Sequence, residues 1–278
     1  MPALDPQAVS ARIGGTAILD VRDEASFRAG HLAGAGHLPR AEFRLRRTEL
    51  PPREEPLLVV AASAGEARAA AEELNRLGYG RVDWLESPLA ELPQGLDDHG
   101  PPARLWRPAP FLVEMLPRIL AGGGPGPALD LAAGAGREAA FLALSGFEVE
   151  ALDDDPDILA SAAALALRSG TRIGTRVCDL ECRDPGLGDE RFRLVTVFRF
   201  LHRPLFAPIE RAIAPGGWLV YETFRRGQRR FGRPTHPRFL LDDGELKSAF
   251  PALSVEHYDE PNPAGGPITA RLLARKPT

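Results

Sequence analysis

Glycines and acidic residues lie close together in the stretch ALDLAAGAGREAAFLALSGFEVEALDDDP, residues 128–156. Gly134 and Gly136 allow the backbone to turn tightly and allow a ligand to approach without a Cβ atom in the way. Asp130 precedes them, and Asp153 follows Gly134 by 19 residues. A carboxylate at the end of the second strand of a doubly wound sheet can hold two ribose hydroxyls. The spacing therefore predicts a nucleotide-like ligand at this loop.

A dinucleotide is one candidate ligand, because Gly134, Gly136 and Ala139 satisfy the pattern G-x-G-x-x-A. Two acids favour a different ligand. A pyrophosphate gains nothing from the carboxylate of Asp130, whereas an amino-acid ammonium group does. Asp179, in RVCDLE, ends the third predicted strand, where it could meet an adenine amino group.

Short apolar runs alternate with helical patterns along the whole chain, which is typical of the α/β fold class. The N-terminal part predicts a small parallel sheet from TAILDV, LLVVAA and RVDWLE. Pro- and Gly-rich stretches at 93–110 and 122–127 suit linkers, and a short helix is expected between them over Phe111–Leu120. We therefore expect domains at 1–98 and 128–278, joined by a linker at 99–127. The second domain has seven predicted strands, of which the last two form an antiparallel hairpin: Ala128–Ala132, Val149–Asp153, Arg176–Asp179, Leu194–Phe198, Trp218–Glu222, Ser254–Tyr258 and Ile268–Ala274.

Residues 128–277 resemble class I S-adenosylmethionine-dependent methyltransferases, in the branch that includes the tellurite-resistance and thiopurine enzymes. The resemblance lies in DLAAGAG, ALDDDP, CDLE, FRLVTVFRFLHRPLF and APGGWLVYETF. It implies a Rossmann-like seven-stranded sheet and S-adenosylmethionine as cofactor. One residue departs from the family pattern: Ala132 stands where the first of three glycines is usual. The cofactor-binding residues that the resemblance implies are Asp130, Ala132, Gly134, Gly136, Asp153, Asp154, Asp179, Leu180 and Phe198.

An acceptor of the methyl group should lie over the carboxyl ends of the fourth and fifth strands of that domain. We expect His202, Tyr221 and Glu222 to be the catalytic residues there, and Arg199 and Arg203 to contact the substrate. Two of these residues have other possible roles, because the His202 side chain could bond the backbone and Glu222 could pair with an arginine. The basic segment RRGQRRFGRPTHPR, residues 225–238, is either a flap that favours an anionic acceptor or a solvated loop.

The stretch LDVRDEASFRAGHLAGAGHLP, residues 19–39, resembles the rhodanese sulfurtransferase domain, and the resemblance extends over roughly residues 5–98. It implies a buried ion pair between Asp20 and Arg22. In that family the catalytic cysteine follows a later strand, in a loop that opens a helix. When Gly65 is aligned with the usual glycine of that loop, Ala62 takes the place of the cysteine. Neither Ala62 nor Ser63, which has no obvious base, can carry sulfur as a persulfide.

Composition limits the partners and the location. The chain has 278 residues, 44% of them apolar, and a net charge of −4, which argues against a dedicated nucleic-acid binder. The two cysteines, Cys178 and Cys182, have no second pair for a structural zinc site, so no metal is expected. No signal peptide or membrane span is recognisable, and we expect a cytoplasmic protein.

Three functions are compatible with these patterns. The first is methyl transfer to a small-molecule acceptor, with the rhodanese-like domain inactive and in an accessory or protein-binding role. The second is a non-catalytic sensor or scaffold that binds the cofactor. The third and weakest is an RNA or protein methyltransferase that uses the basic segment.

Overall fold

The computed structural model describes residues 2–12, 14–92 and 98–278 and divides the chain into two compact units, Met1–Arg107 and Pro108–Thr278. Residues 93–97 of the first predicted Pro- and Gly-rich stretch lie outside the described residues. No helix in the described ranges is long and apolar enough to cross a membrane.

The first unit is a parallel five-stranded sheet in the order β1-β5-β4-β2-β3. Alternate residues of the central strand β4 pack into different cores, Leu57 and Val59 into one and Leu58 and Val60 into the other. Both faces of the sheet are therefore covered, which explains the unbroken apolar run LLVV. The strands are β1 (Ala3–Leu4), β2 (Ala17–Asp20), β3 (Ala35–His37), β4 (Leu57–Val60) and β5 (Val82–Leu85), and the helices are α1 (Pro6–Ser10), α2 (Glu24–Arg28) and α3 (Ala64–Arg76).

The second unit is a seven-stranded sheet in the order β11-β12-β10-β9-β6-β7-β8. Strands β6 to β10 run parallel, and β12 pairs antiparallel with both β10 and β11. The predicted terminal hairpin is thus confirmed, with its second strand inside the sheet. The strands are β6 (Pro127–Leu131), β7 (Glu148–Asp153), β8 (Gly174–Val177), β9 (Phe192–Phe198), β10 (Ile213–Phe224), β11 (Ser254–Asp259) and β12 (Thr269–Arg275), and the helices are α4 (Pro110–Ala121), α5 (Arg137–Leu144), α6 (Pro156–Arg168), α7 (Phe206–Ala212) and α8 (Glu245–Ser248).

The expected linker, residues 99–127, is divided between the two units. The Ala103 amide donates to the Ala35 carbonyl at 2.9 Å, and Leu105 packs so closely on Gly36 that a Cβ atom there would clash. Helix α4 belongs to the second unit, because its buried apolar face joins the core that also holds α5 and α6. Its Pro and Gly content predicted a linker. Its apolar side chains instead pack into folded units, Leu105 in the first and helix α4 in the second.

Candidate active site

The loop between β6 and α5 turns through three residues with positive φ, namely Ala132 (54°), Gly134 (52°) and Gly136 (75°). A Cβ atom on Gly136 would lie 2.5 Å from the Ala162 Cβ atom on α6, so only glycine fits between the loop and that helix. A Cβ atom on Gly134 would meet nothing within 4 Å. The loop is therefore closely packed below and open above Gly134, where a ligand can approach the backbone.

Asp130 is the buried acid of the site, with 2% of its surface exposed. Its Oδ1 atom accepts a hydrogen bond from the Thr196 hydroxyl at 2.8 Å, and its Oδ2 atom is buried without a partner among the described residues. Burial, reinforced by the charge of Glu138, raises the pKa of Asp130 to about 8. An unpartnered buried carboxylate oxygen is costly unless a cationic ligand meets it.

The ends of β7 and β8 carry the other predicted cofactor acids. Asp153 Oδ2 accepts a hydrogen bond from the Gly134 amide at 2.8 Å, which ties the end of β7 to the glycine loop. Asp154 is exposed. A hydrogen bond with the Asp153 side chain and the negative charge of Asp153 both raise the pKa of Asp154. Asp179 is exposed beyond β8, whereas Leu180 is buried in the core and fixes that turn.

Strands β9, β6, β7 and β8 are consecutive in the sheet, so their carboxyl ends form one edge. Phe198 ends β9 there and is half-buried against the core beneath α4. The sheet therefore brings all nine predicted cofactor residues to one continuous edge, which is the usual ligand position in an open α/β sheet.

Thr196, which orients Asp130, is the residue that sequence reasoning missed. It lies opposite Asp130 in the pairing of β6 with β9 and is completely buried. The sequence indicates it in FRLVTVF, where one hydroxyl stands among the apolar residues that follow Arg193. A buried hydroxyl needs a partner, and the facing acid supplies it.

Two of the residues expected on the acceptor side are structural instead. Tyr221 is 1% exposed, lies in the core and donates its hydroxyl to the Phe200 carbonyl at 3.1 Å; burial raises its pKa, so it is no general base. The Arg203 guanidinium binds both carboxylate oxygens of Glu245, at 2.5 and 2.8 Å, and also donates to the Arg238 and Leu240 carbonyls. Its donors are used within the fold.

His202, Glu222 and Arg199 stay available at the edge. The His202 imidazole makes no hydrogen bond within the described part of the chain, and the residue is half-buried. Glu222 lies opposite Phe198 in the pairing of β10 with β9, and its Oε1 atom accepts a hydrogen bond from the Thr269 hydroxyl at 3.0 Å. Burial raises the pKa of Glu222, against the lowering effects of Thr269, Arg271 and Arg199.

The degenerate rhodanese loop follows β4 in the first unit. Ala62, Ser63 and Gly65 are exposed, and Ser63 caps α3 by accepting a hydrogen bond from the Glu66 amide at 3.3 Å. The hydroxyl next to the missing cysteine thus serves the helix. The Arg22 guanidinium binds the Asp20 carboxylate at 2.7 Å with Asp20 fully buried, as predicted.

Comparison with known protein families assigns both units. The family described as "Rhodanese-like domain" matches residues 5–87, so the first unit is rhodanese-like. The family described as "Tellurite resistance protein TehB" matches residues 119–260, just over half of the chain. The chain belongs to the TehB family. The matched region contains all the predicted cofactor and acceptor-side residues, and the rhodanese-like region precedes it.

Solved structures similar to this TehB-family chain include methyltransferases. TehB from Haemophilus influenzae is 19% identical, with a TM-score of 0.49 over 59% of this chain and 62% of that chain. The N-methyltransferase NodS from Bradyrhizobium japonicum WM9, in complex with S-adenosyl-L-homocysteine, is 20% identical, with a TM-score of 0.48 over 61% of this chain and 89% of that chain. No curated protein matches the chain.

Proposed function

We propose that the second unit binds S-adenosylmethionine at the β6–α5 loop and catalyses methyl transfer to a small-molecule acceptor. The observation that supports this most directly is the buried, unpartnered Oδ2 atom of Asp130, on the strand that leads into the loop where Gly134 is open to a ligand. The ammonium group of an amino-acid cofactor would satisfy that oxygen. The cofactor, when bound, supplies a methyl group activated by its sulfonium.

The other residues of the edge have complementary roles in this proposal. The carboxylates of Asp153 and Asp154 would accept the ribose hydroxyls, and Asp179, with the turn fixed by Leu180, would meet the adenine. His202 would contact the acceptor or take its proton, and Glu222 would orient it. A base is needed only when the nucleophile arrives protonated. The rhodanese-like unit would have an accessory or partner-binding role.

Calorimetric titration of the full chain with S-adenosylhomocysteine tests the proposal. Because the Asp130 carboxyl holds its proton up to a pH of about 8 in the ligand-free protein, a cationic ammonium must displace that proton. The affinity should therefore rise by about tenfold per unit between pH 6 and pH 7 and level off near pH 8, with proton release. No binding at any pH would refute the proposal.

Asp130→Asn supplies the control, because asparagine keeps an acceptor for the Thr196 hydroxyl. Its binding should be weaker at pH 8 and nearly independent of pH. A raised carboxyl pKa makes the ligand-free fold less stable as the pH rises from about 4 to about 8, and asparagine removes that loss. The variant should thus have a higher thermal midpoint than the native protein at pH 8, which separates lost binding from misfolding.

Turnover distinguishes an enzyme from the alternative, a sensor that binds the cofactor without using it. Native protein should form S-adenosylhomocysteine from S-adenosylmethionine when the low-molecular-mass fraction of a cell extract is added. Glu222→Gln should slow this formation but leave cofactor binding intact. Cofactor binding with no turnover in any such fraction would favour the sensor.

A further inference from the structure

Arg199 has an unusual backbone conformation at the acceptor side of the proposed site. It directly follows β9, with φ +58°, a region that non-glycine residues rarely occupy. Its amide donates to the Glu222 carbonyl at 2.8 Å, which holds the residue in place. Strain of this kind tends to occur at functional sites. Arg199 is exposed, and its guanidinium forms no ion pair within 4 Å in the described ranges, although its positive charge lowers the pKa of Glu222.

The arginines of the basic segment, residues 225–238, fall into two groups. Three of them pair with acids of the same unit: Arg225 with Asp243 and Glu260, Arg226 with Asp242, and Arg238 with Glu181. The other three have no acidic partner among the residues that the structure describes: Arg229, Arg230 and Arg233. The excess positive charge is therefore concentrated at 229–233, a few residues beyond the carboxyl end of β10. Arg199 directly follows β9, the parallel neighbour of β10, so both lie at the carboxyl edge of the sheet.

Hydrogen bonds of two buried side chains hold the segment that carries these arginines in place. Gln228 is buried, accepts a hydrogen bond from the Ile268 amide at 2.9 Å and donates to the Arg233 carbonyl at 3.4 Å. Arg225 is buried and donates to the Thr269 carbonyl at 3.1 Å. The segment is thus attached to the start of β12 at two points. A site held in place in this way binds an anion with a smaller entropy loss than a free loop would.

We propose, on the basis of the function proposed above, that the methyl acceptor is an organic anion, whose carboxylate or phosphate group binds Arg199 and the unpaired arginines at 229–233. Guanidinium groups bind both oxyanions in bidentate fashion. The nucleophilic end of the acceptor faces His202 and Glu222, and the anionic end faces the arginines.

A nucleic acid acceptor, with its row of backbone phosphates, fits the same observations less well. Half of the arginines in the basic segment are used in ion pairs within the fold, and the chain as a whole carries a net charge of −4. Single-stranded nucleic acid requires a basic groove that follows its backbone over several nucleotides. Three unpaired arginines and Arg199 suit one or two anionic groups.

The test uses the full chain saturated with S-adenosylhomocysteine and titrated calorimetrically with phenyl phosphate, benzoate and neutral benzamide. At least one anion should bind, and benzamide should not; comparison of phenyl phosphate with benzoate identifies phosphate or carboxylate as the preferred group. Arg199→Gln and Arg230→Gln should each weaken anion binding by about tenfold. Arg172→Gln removes the same charge beside β8 at the opposite edge of the sheet and should leave the affinity unchanged.

Several outcomes would overturn the inference and leave the proposed function standing. These are failure of both anions to bind while S-adenosylhomocysteine binds, equal affinity for benzamide, or an equal loss in Arg172→Gln. Tight, salt-dependent binding of a dodecauridylate, lost in Arg230→Gln, would identify RNA instead and would also overturn it. Unchanged binding of S-adenosylhomocysteine by Arg199→Gln shows that the variant is folded. If S-adenosylhomocysteine itself fails to bind the native chain, the proposed function fails first.

Discussion

Ala132 stands at the first position of the glycine loop, with a backbone conformation that favours glycine. The left-handed region costs an L-residue about 1 kcal/mol or more relative to glycine, so the loop is retained at some expense of stability. The backbone conformation at Ala132 is therefore required by the shape of the loop and is not the one that an alanine prefers.

Ala132→Gly should stabilise the protein by about 0.5 to 1 kcal/mol, because the relief of strain exceeds the extra flexibility of glycine in the unfolded chain. The thermal midpoint should rise by about 2 °C. Ala133→Gly is the matched control, because Ala133 is a buried neighbour with no positive φ, and it should lower the midpoint. A lower midpoint for Ala132→Gly would mean that its methyl group is needed for packing.

Helix α3 shows what is left of a sulfurtransferase site when its nucleophile is missing. The strand, the loop and the helix N-terminus are all present, and the Ser63 hydroxyl caps the helix. We expect the native protein to transfer no sulfur from thiosulfate to cyanide, because no thiol stands at Ala62.

A cysteine introduced as Ala62→Cys should be more reactive than one at the other end of the same helix, because the helix N-terminus favours the thiolate. The control is Asn75→Cys, which lies in the last turn of α3. Mass spectrometry after brief treatment with iodoacetamide at pH 7 should find residue 62 alkylated several times faster than residue 75. Equal rates would show that the loop no longer activates a thiol.

The elements themselves could be predicted well from sequence, whereas the direction of several side chains could not. All seven strands of the second unit lie within a few residues of their predicted positions, except that β10 extends further at its start. Periodicity could not place Tyr221, because a strand covered on both faces is apolar throughout. The partner of Arg203 lies 42 residues away, and no local pattern announces such a contact.

At the scale of the whole molecule, the chain consists of two units that each have their own buried cores. Every candidate cofactor residue lies in the second unit. Residues 108–278 expressed alone should therefore bind S-adenosylhomocysteine within about threefold of the affinity of the full chain, measured by calorimetry. Asp130→Asn in the same fragment is the control. A loss of affinity greater than about tenfold would show that the rhodanese-like unit contributes to the site.

The pairing of β6 with β9 has a consequence for how the second unit folds. Ala128 of β6 lies opposite Leu194 of β9, which is 66 residues later in the chain. The middle of the sheet therefore forms only when these two distant segments pair. Parallel pairings between such distant segments close slowly. The hydrogen bond between Thr196 and Asp130 can form only after that closure, so we expect the cofactor site to be complete only late in folding. We therefore expect a bound cofactor to slow unfolding of the unit without speeding the first steps of its folding.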